Sequence, residues 1–212
     1  RSGRNPEDIH IVAVTKNFPP EVVQQAVDNG LVILGENRVQ EAQSKIESVK
    51  GSVEWHLIGH LQRNKVKTAI EIFTMIQSMD SLALAEEIQK RAEQAEKVID
   101  VLVQVNIGRE KTKYGIEPND TEGFVEKAAL FPNLKIRGLM AIAPFKQDPE
   151  EVRPYFRHLR SIFESIKQKS IKNVNMDYLS MGMSNDFEVA IEEGANMVRI
   201  GTGFFGARTK NF

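Results

Sequence analysis

The sequence predicts an α/β fold, a single (β/α)8 barrel of the TIM type. Eight apolar, strand-like runs alternate with seven helical patterns across 212 residues. Strict alternation of the two periodicities argues for parallel strands joined by right-handed crossovers. The strand runs show little polar alternation, as expected of strands covered on both faces. No Ser/Gly-rich linker interrupts the pattern, so residues 1–212 are expected to form one domain, and eight units favour a closed barrel over an open doubly wound sheet.

The elements follow in order. Ile11 to Val14 form the first strand, and Lys16 sits at its C-terminal lip before a Pro-Pro break. A helix from Pro20 to Asn29 buries Val22, Val23, Ala26 and Val27 and closes at Gly30. The strand LVILGEN leads into the helix RVQEAQSKIESVK, and EWHLIGH into RNKVKTAIEIF. MIQSMD passes through Ser81 to the charged helix LALAEEIQKRAEQAEK. IDVLVQVNIG is followed by a long loop, REKTKYGIEPND, and the helix TEGFVEKAALF. LKIRGLMAIAP precedes a helix across PEEVRPYFRHLRSIFESIKQK, and MDYLSMG meets the short helix DFEVAIEEG. NMVRIGTGFFG is the eighth strand. A full ring needs eight helices; the opening RSGRNPED resembles the frayed end of a helix lying upstream, which would supply the last one.

Bulk properties exclude several classes of function. A net charge of −1 gives no global field for nucleic acid or an anionic membrane. With no cysteine there are no disulfides, thiolate metal sites or cysteine nucleophiles, a composition compatible with a cytoplasmic location. No apolar run approaches the roughly 20 residues needed to span a bilayer.

In a barrel of this kind chemistry sits at the C-terminal ends of the strands. The polar residues there are Lys16, Asn37, His60, Asn106, Ser180, Ser184, Arg199 and Thr202. The segment SMGMSNDFE follows the seventh strand. Gly182 permits a tight turn, and Ser184 or Asn185 can cap the helix opened by Asp186, with Glu188 at capping-box spacing from Asn185. A helix start also suits an anion, as do the glycines and Thr202 of RIGTGFFGAR, and loops after strands seven and eight frequently bind phosphate. Local pattern alone leaves structural capping and anion binding equally open. Alternation places Met197, Arg199 and Gly201 on one face, so Arg199 points into the mouth and needs a partner: a ligand acceptor, or an internal acid such as Asp80 or Asp177. Lys16 near a second cation would have a lowered pKa and a nucleophilic amine, unless it simply snorkels to solvent. An amine beside a phosphate site suggests a carbonyl compound carrying a phosphate.

Taken together, VAVTK, GENRVQEA, WHLIGHLQRNK, GLMAIAP, SMGMSNDFEVAIEEGANMVRIGT and FFGAR resemble the pyridoxal phosphate (PLP) homeostasis proteins, the YggS/PROSC family. The match runs in order along nearly the whole chain. The resemblance implies the barrel of alanine racemase, a fold type III PLP barrel, without that enzyme's second, β-rich domain. It implies that Lys16 forms a Schiff base with the PLP aldehyde, that Ser184, Gly201 and Thr202 hold the phosphate, and that Arg199 faces the pyridine nitrogen. Asn37 and Met183 are carried over as neighbours of the cofactor. His60 falls in a family motif and is expected to be a hydrogen-bonded rim residue.

A permanently charged arginine opposes protonation of the ring nitrogen and weakens the ring as an electron sink. Racemisation needs acid–base groups on both faces of a substrate carbon. The racemase draws one from its missing domain, and here Tyr114 lies in a mobile-looking loop, Tyr155 in a helix and Tyr178 within a strand. The expectation is therefore a PLP-binding homeostasis protein, a monomer that stores, buffers or delivers the cofactor, with amino acids and apo PLP enzymes as transient partners and no robust turnover. A low-activity amino-acid racemase is the alternative. A Schiff-base aldolase ranks last, since IRGLMAIAP offers no inward lysine near its end. Lys111 and Lys113, between Gly108 and Gly115, are either a second relaying amine or a solvated basic loop.

Overall fold

A computed structural model describes residues 2–206. Ala207 and Arg208 of the closing FFGAR motif lie outside them. The strands are β1 His10–Val14, β2 Ile33–Glu36, β3 Glu54–Leu57, β4 Met75–Met79, β5 Ile99–Val105, β6 Leu134–Ala141, β7 Val174–Met183 and β8 Met197–Ile200. All neighbouring pairs are parallel and β1 pairs with β8, so the sheet closes on itself in sequence order. The helices are α1 Pro20–Asp28, α2 Val39–Lys45, α3 Val66–Ile72, α4 Leu82–Gln94, α5 Thr121–Ala128, α6 Arg153–Gln168, α7 Phe187–Glu192 and α8 Thr202–Phe205. No helix among the described residues is long and apolar enough to cross a membrane.

Two apolar layers result from strand alternation. Ala13, Leu34, Leu57, Val101, Leu139 and Val198 face outward into the large core shared with the helices. Val12, Val14, Ile33, Ile58, Met75, Leu102, Met140 and Met197 form a separate cluster that fills the barrel. On β8, Met197 belongs to the inner set and Val198 and Ile200 to the outer, so the phase expected for Arg199 holds.

The eighth strand is shorter than its sequence suggests. It ends at Ile200, opposite Ala13, because β1 supplies no further rungs of the ladder. Beyond Gly201 the backbone coils instead, the N–H groups of Phe204 and Phe205 donating to the Gly201 carbonyl at 3.0 Å. The glycine- and threonine-containing end therefore opens α8, rather than extending the sheet.

Charge fixes α6 against α7 and the loop before it. Arg153 donates to Glu192 at 2.6 Å and Glu193 at 2.8 Å, and Arg157 donates to Glu193 at 3.0 Å. Burial alone would raise the Glu193 carboxyl, but these hydrogen bonds outweigh it and hold the group below the ordinary carboxylate range. A depressed folded-state value contributes stability above the unfolded value, near 4.5, which is lost as pH falls through the folded value. Glu193→Gln is expected to lower the urea midpoint at about pH 7 and to approach the parent protein's midpoint at about pH 3. A gap between the two that stays constant across that range counts against the ion pairs as its source.

Candidate functional site

Lys16 follows β1 on the inward phase set by Val12 and Val14, half-buried at the mouth. Its two neighbours are fixed from behind the sheet by a buried charge cluster. Lys45, on α2 and only 4% exposed, donates to the Thr15 carbonyl at 2.9 Å and to Glu36 and Glu41 at 2.8 Å each. The Thr15 hydroxyl donates to Glu36 at 2.7 Å, and the Asn17 N–H donates to Glu41. Asn17 lies in the left-handed region at φ 66°, which turns the chain sharply after the lysine. Burial pushes the Glu36 carboxyl up, opposed by Lys45 and Thr15. This cluster escaped the sequence reading. The signal for it was Glu36 inside an otherwise apolar strand and Lys45 on the inner face of an amphipathic helix.

Arg199, 3% exposed, lies inside the barrel near its mouth. One nitrogen donates to the Ser180 hydroxyl at 2.7 Å and another to the Ala141 carbonyl at 2.8 Å. Neither acid considered from the sequence pairs with it: Asp80 accepts from His60, and Asp177 accepts from Arg137. Burial pushes the guanidinium down to about 10, with the Asp186 carboxylate opposing the shift, so it stays charged near neutrality. The line of hydrogen bonds continues downward. Ser180 donates to Gln77 Oε1 at 2.7 Å, and Gln77 Nε2 meets His56 Nδ1 at 3.0 Å. His56 Nε2 faces Glu54 at 3.5 Å, at the opposite end of the barrel. Because arginine can only donate, each hydroxyl and amide in the line is orientated away from the mouth, and His56 carries its proton on Nε2. Gln77 and His56 were not singled out from the sequence, although both occupy the inward phase of buried strands where a polar side chain is unusual.

The loops after β7 and β8 meet beside Arg199. Gly182 takes φ +93°, and a Cβ there would stand 2.5 Å from the Ala190 Cβ, so this turn requires glycine. The expected capping of α7 by Ser184 or Asn185 is not what forms. Asp186 accepts from the Met183 N–H at 2.6 Å, and Asn185 donates to the Lys146 carbonyl at 3.2 Å. Ser184 reaches across to the other loop and accepts from the N–H groups of Gly201 and Gly203 at 3.2 and 3.3 Å. Both N–H groups are taken up by the Ser184 hydroxyl oxygen; with that side chain turned aside, the two N–H groups and the hydroxyl would make a donor set that fits the oxygens of a phosphate. Thr202 begins α8 beside them and Met183 flanks them, partly exposed.

Across the mouth, His60 Nδ1 hydrogen-bonds Asp80 at 3.0 Å, the rim role expected of it. The Tyr114 ring stacks on His60 at 3.7 Å between centroids. The loop carrying Tyr114 is not the loose segment its composition suggests. Gln104 donates to the Tyr114 carbonyl at 3.1 Å, and Asn106 ties both ways to Glu110 at 3.0 and 3.2 Å. Gly115, at φ +127°, lets the loop press onto β5, where a Cβ would meet the Asn106 nitrogen at 2.6 Å. Lys113 lines a cavity at the mouth together with Asn37, Asn106 and Tyr114. No cluster of residues suited to a metal ion occurs among the described residues.

The fold and this mouth define a barrel of the alanine racemase type. The family model for the alanine racemase N-terminal domain matches residues 5–209. An alanine racemase from Clostridium difficile 630 superposes with a TM-score of 0.82 at 15% identity, over 98% of this chain and 55% of that one, a likeness of fold. Curated relatives narrow the assignment. The pyridoxal phosphate homeostasis protein of Aquifex aeolicus is 48% identical over 98% of this chain and 91% of its own length. PipY of Synechococcus elongatus, solved with PLP bound, is 34% identical with a TM-score of 0.87, covering 97% of this chain and 96% of that one. The chain belongs to the pyridoxal phosphate homeostasis protein family.

Proposed function

We propose that this protein binds PLP reversibly through a Schiff base on Lys16 and so stores, buffers or delivers the cofactor in the cytoplasm. The observation that carries the reading is the presence, at the C-terminal end of one barrel, of a lysine whose flanking backbone is held on both sides, a buried guanidinium, and the backbone N–H groups of Gly201 and Gly203 beside the Ser184 hydroxyl. Ser184, Gly201 and Thr202 would hold the phosphate, Arg199 the ring nitrogen, with Asn37 and Met183 alongside. PLP supplies an aldehyde that condenses reversibly with amines and a ring that can accept electron density. Arg199 donates only and remains charged, so it disfavours a proton on the ring nitrogen. That suits holding the cofactor better than driving carbanion chemistry. The protein acts as a monomer, contacting apo PLP enzymes only in passing. PipY, a relative with PLP bound, supports the choice of ligand.

One observation favours weak racemase activity as a second reading: Tyr114 lines a mouth cavity, whereas Tyr155 lies on α6 and Tyr178 packs on His10 near the other end of the barrel. Borohydride reduction of the loaded protein followed by peptide mapping is expected to mark Lys16, and a label on any other lysine defeats the assignment. Activation of an apo PLP enzyme by the loaded protein should outpace free release if delivery is direct; equal rates leave storage alone. Exchange of amino-acid α-protons with solvent is expected to be slow, and a fast exchange abolished by Tyr114→Phe would favour the racemase.

A further inference from the structure

The mouth is not uniform around its rim. On the side formed by the loops after β2 and β3 lies an outer cavity of about 590 Å³. Arg38, Gln40, Gln62 and Lys65 line it, and the stacked pair of His60 and Tyr114 forms its wall. An inner cavity of about 260 Å³ shares that wall and adds Lys113 and Asn106. Asn37 borders both. Its position matters, because β1 and β2 are neighbours whose last rung sets Val14 opposite Gly35, and Lys16 and Asn37 each follow two residues beyond that rung at the C-terminal ends of the two strands. A small molecule entering by this route reaches the barrel mouth on the side of β2, the strand next to the one that carries Lys16.

The charge along the route is of one sign. Neither cavity has an Asp or Glu in its lining. Among the described residues no carboxylate lies at ion-pair distance from Arg38, Lys65 or Lys113, and Asp80 is engaged by His60. A concave wall carrying unpaired cations and amide donors concentrates small anions and repels cations.

We propose that these adjacent cavities mark the entry side for the amine that displaces Lys16, and that Arg38 and Lys65 select primary amines bearing a carboxylate or phosphate over cationic di- and polyamines. The proposal rests on the Lys16 reading. In the exchange the carbon–nitrogen bond to Lys16 breaks as one forms to the incoming amine. The two protons lost by the incoming ammonium end on the departing lysine, so no oxidant or reductant is consumed.

The test uses the PLP-loaded protein and follows loss of its Schiff-base absorbance after adding matched amines at equal concentration. The pairs are O-phosphoethanolamine against ethanolamine, and aspartate against putrescine. Displacement by at least one anionic amine is expected to saturate and to run about tenfold faster than by its partner, an advantage that shrinks with added salt. Whichever anionic amine leads identifies phosphate or carboxylate as the preferred group. Arg38→Gln with Lys65→Gln is expected to erase most of that advantage while leaving PLP affinity and the melting temperature unchanged. Equal rates within both pairs, or selectivity that survives the double substitution, overturns the proposal. A protein that forms no Schiff base on Lys16 fails earlier, before any amine is added, and overturns the parent reading together with this one.

Discussion

Lys45→Met is expected to lower the unfolding free energy by roughly 3–5 kcal/mol, the usual cost of stripping a buried charge of its partner. For a chain of this size that corresponds to a fall in melting temperature of roughly 6–20 °C. The reason lies in Glu36, fully buried, whose carboxylate would lose its cation and keep one oxygen that already has no hydrogen-bond partner. Changing both members, Lys45→Met with Glu36→Gln, is expected to recover much of the loss, because a buried pair as a whole contributes little over neutral packing. The functional deficit should remain. Without Lys45 the Thr15 carbonyl is no longer held at 2.9 Å, and the turn presenting Lys16 loosens. Calorimetry and the rate of Schiff-base formation separate the two effects. Should the double variant capture PLP as fast as the parent, the cluster stabilises the barrel without positioning the amine.

Gln77→Leu is expected to cost about 1–3 kcal/mol for each buried group it orphans, the Ser180 hydroxyl and His56 Nδ1, and so roughly 2–6 kcal/mol in all. Both partners are buried, where water cannot replace the missing amide. The consequence for the site runs through Ser180, the acceptor that aims the Arg199 guanidinium. With its own acceptor gone the hydroxyl can turn, and the field at the pyridine nitrogen, which Arg199 is proposed to face, would change. The pH titration of absorbance in the PLP-loaded protein should therefore move. Leu102→Ala, in the apolar cluster that fills the barrel and of comparable cost, serves as the control and should leave that titration in place. Parallel behaviour of the two variants would reduce Gln77 to a packing residue.

Much of this was legible in the sequence, for reasons that differ by element. The eight strands are short, apolar and separated by amphipathic helices, so their order and closure follow from pattern. The inward phase of Arg199 followed from alternation along Met197, Arg199 and Gly201. The end of β8 did not, since it depends on where β1 stops offering partners. Ser184 was marked by its loop, but its true partners, Gly201 and Gly203, lie just beyond the end of β8, and no local pattern encodes that reach. The grip on Lys16 was hidden for the same reason: Lys45 lies 30 positions from the carbonyl it holds. Tyr114 looked loose because glycine and charged residues flank it, whereas Gly115 is the residue that allows its loop to seat against the barrel.

The joining of β1 to β8 carries one more consequence. Lys16 follows the first strand and Arg199 lies in the last, and the four rungs from His10–Met197 to Ala13–Ile200 are the seam of the cylinder. On the proposed site, a growing chain that has not yet made β8 would hold only half of the grip on its ligand. PLP held between them, as proposed, would act as a clasp on the finished barrel: by mass action its binding would favour the zipped state as a whole over any partly assembled one. On that reading, a newly made chain would take up the cofactor only once its circumference is complete.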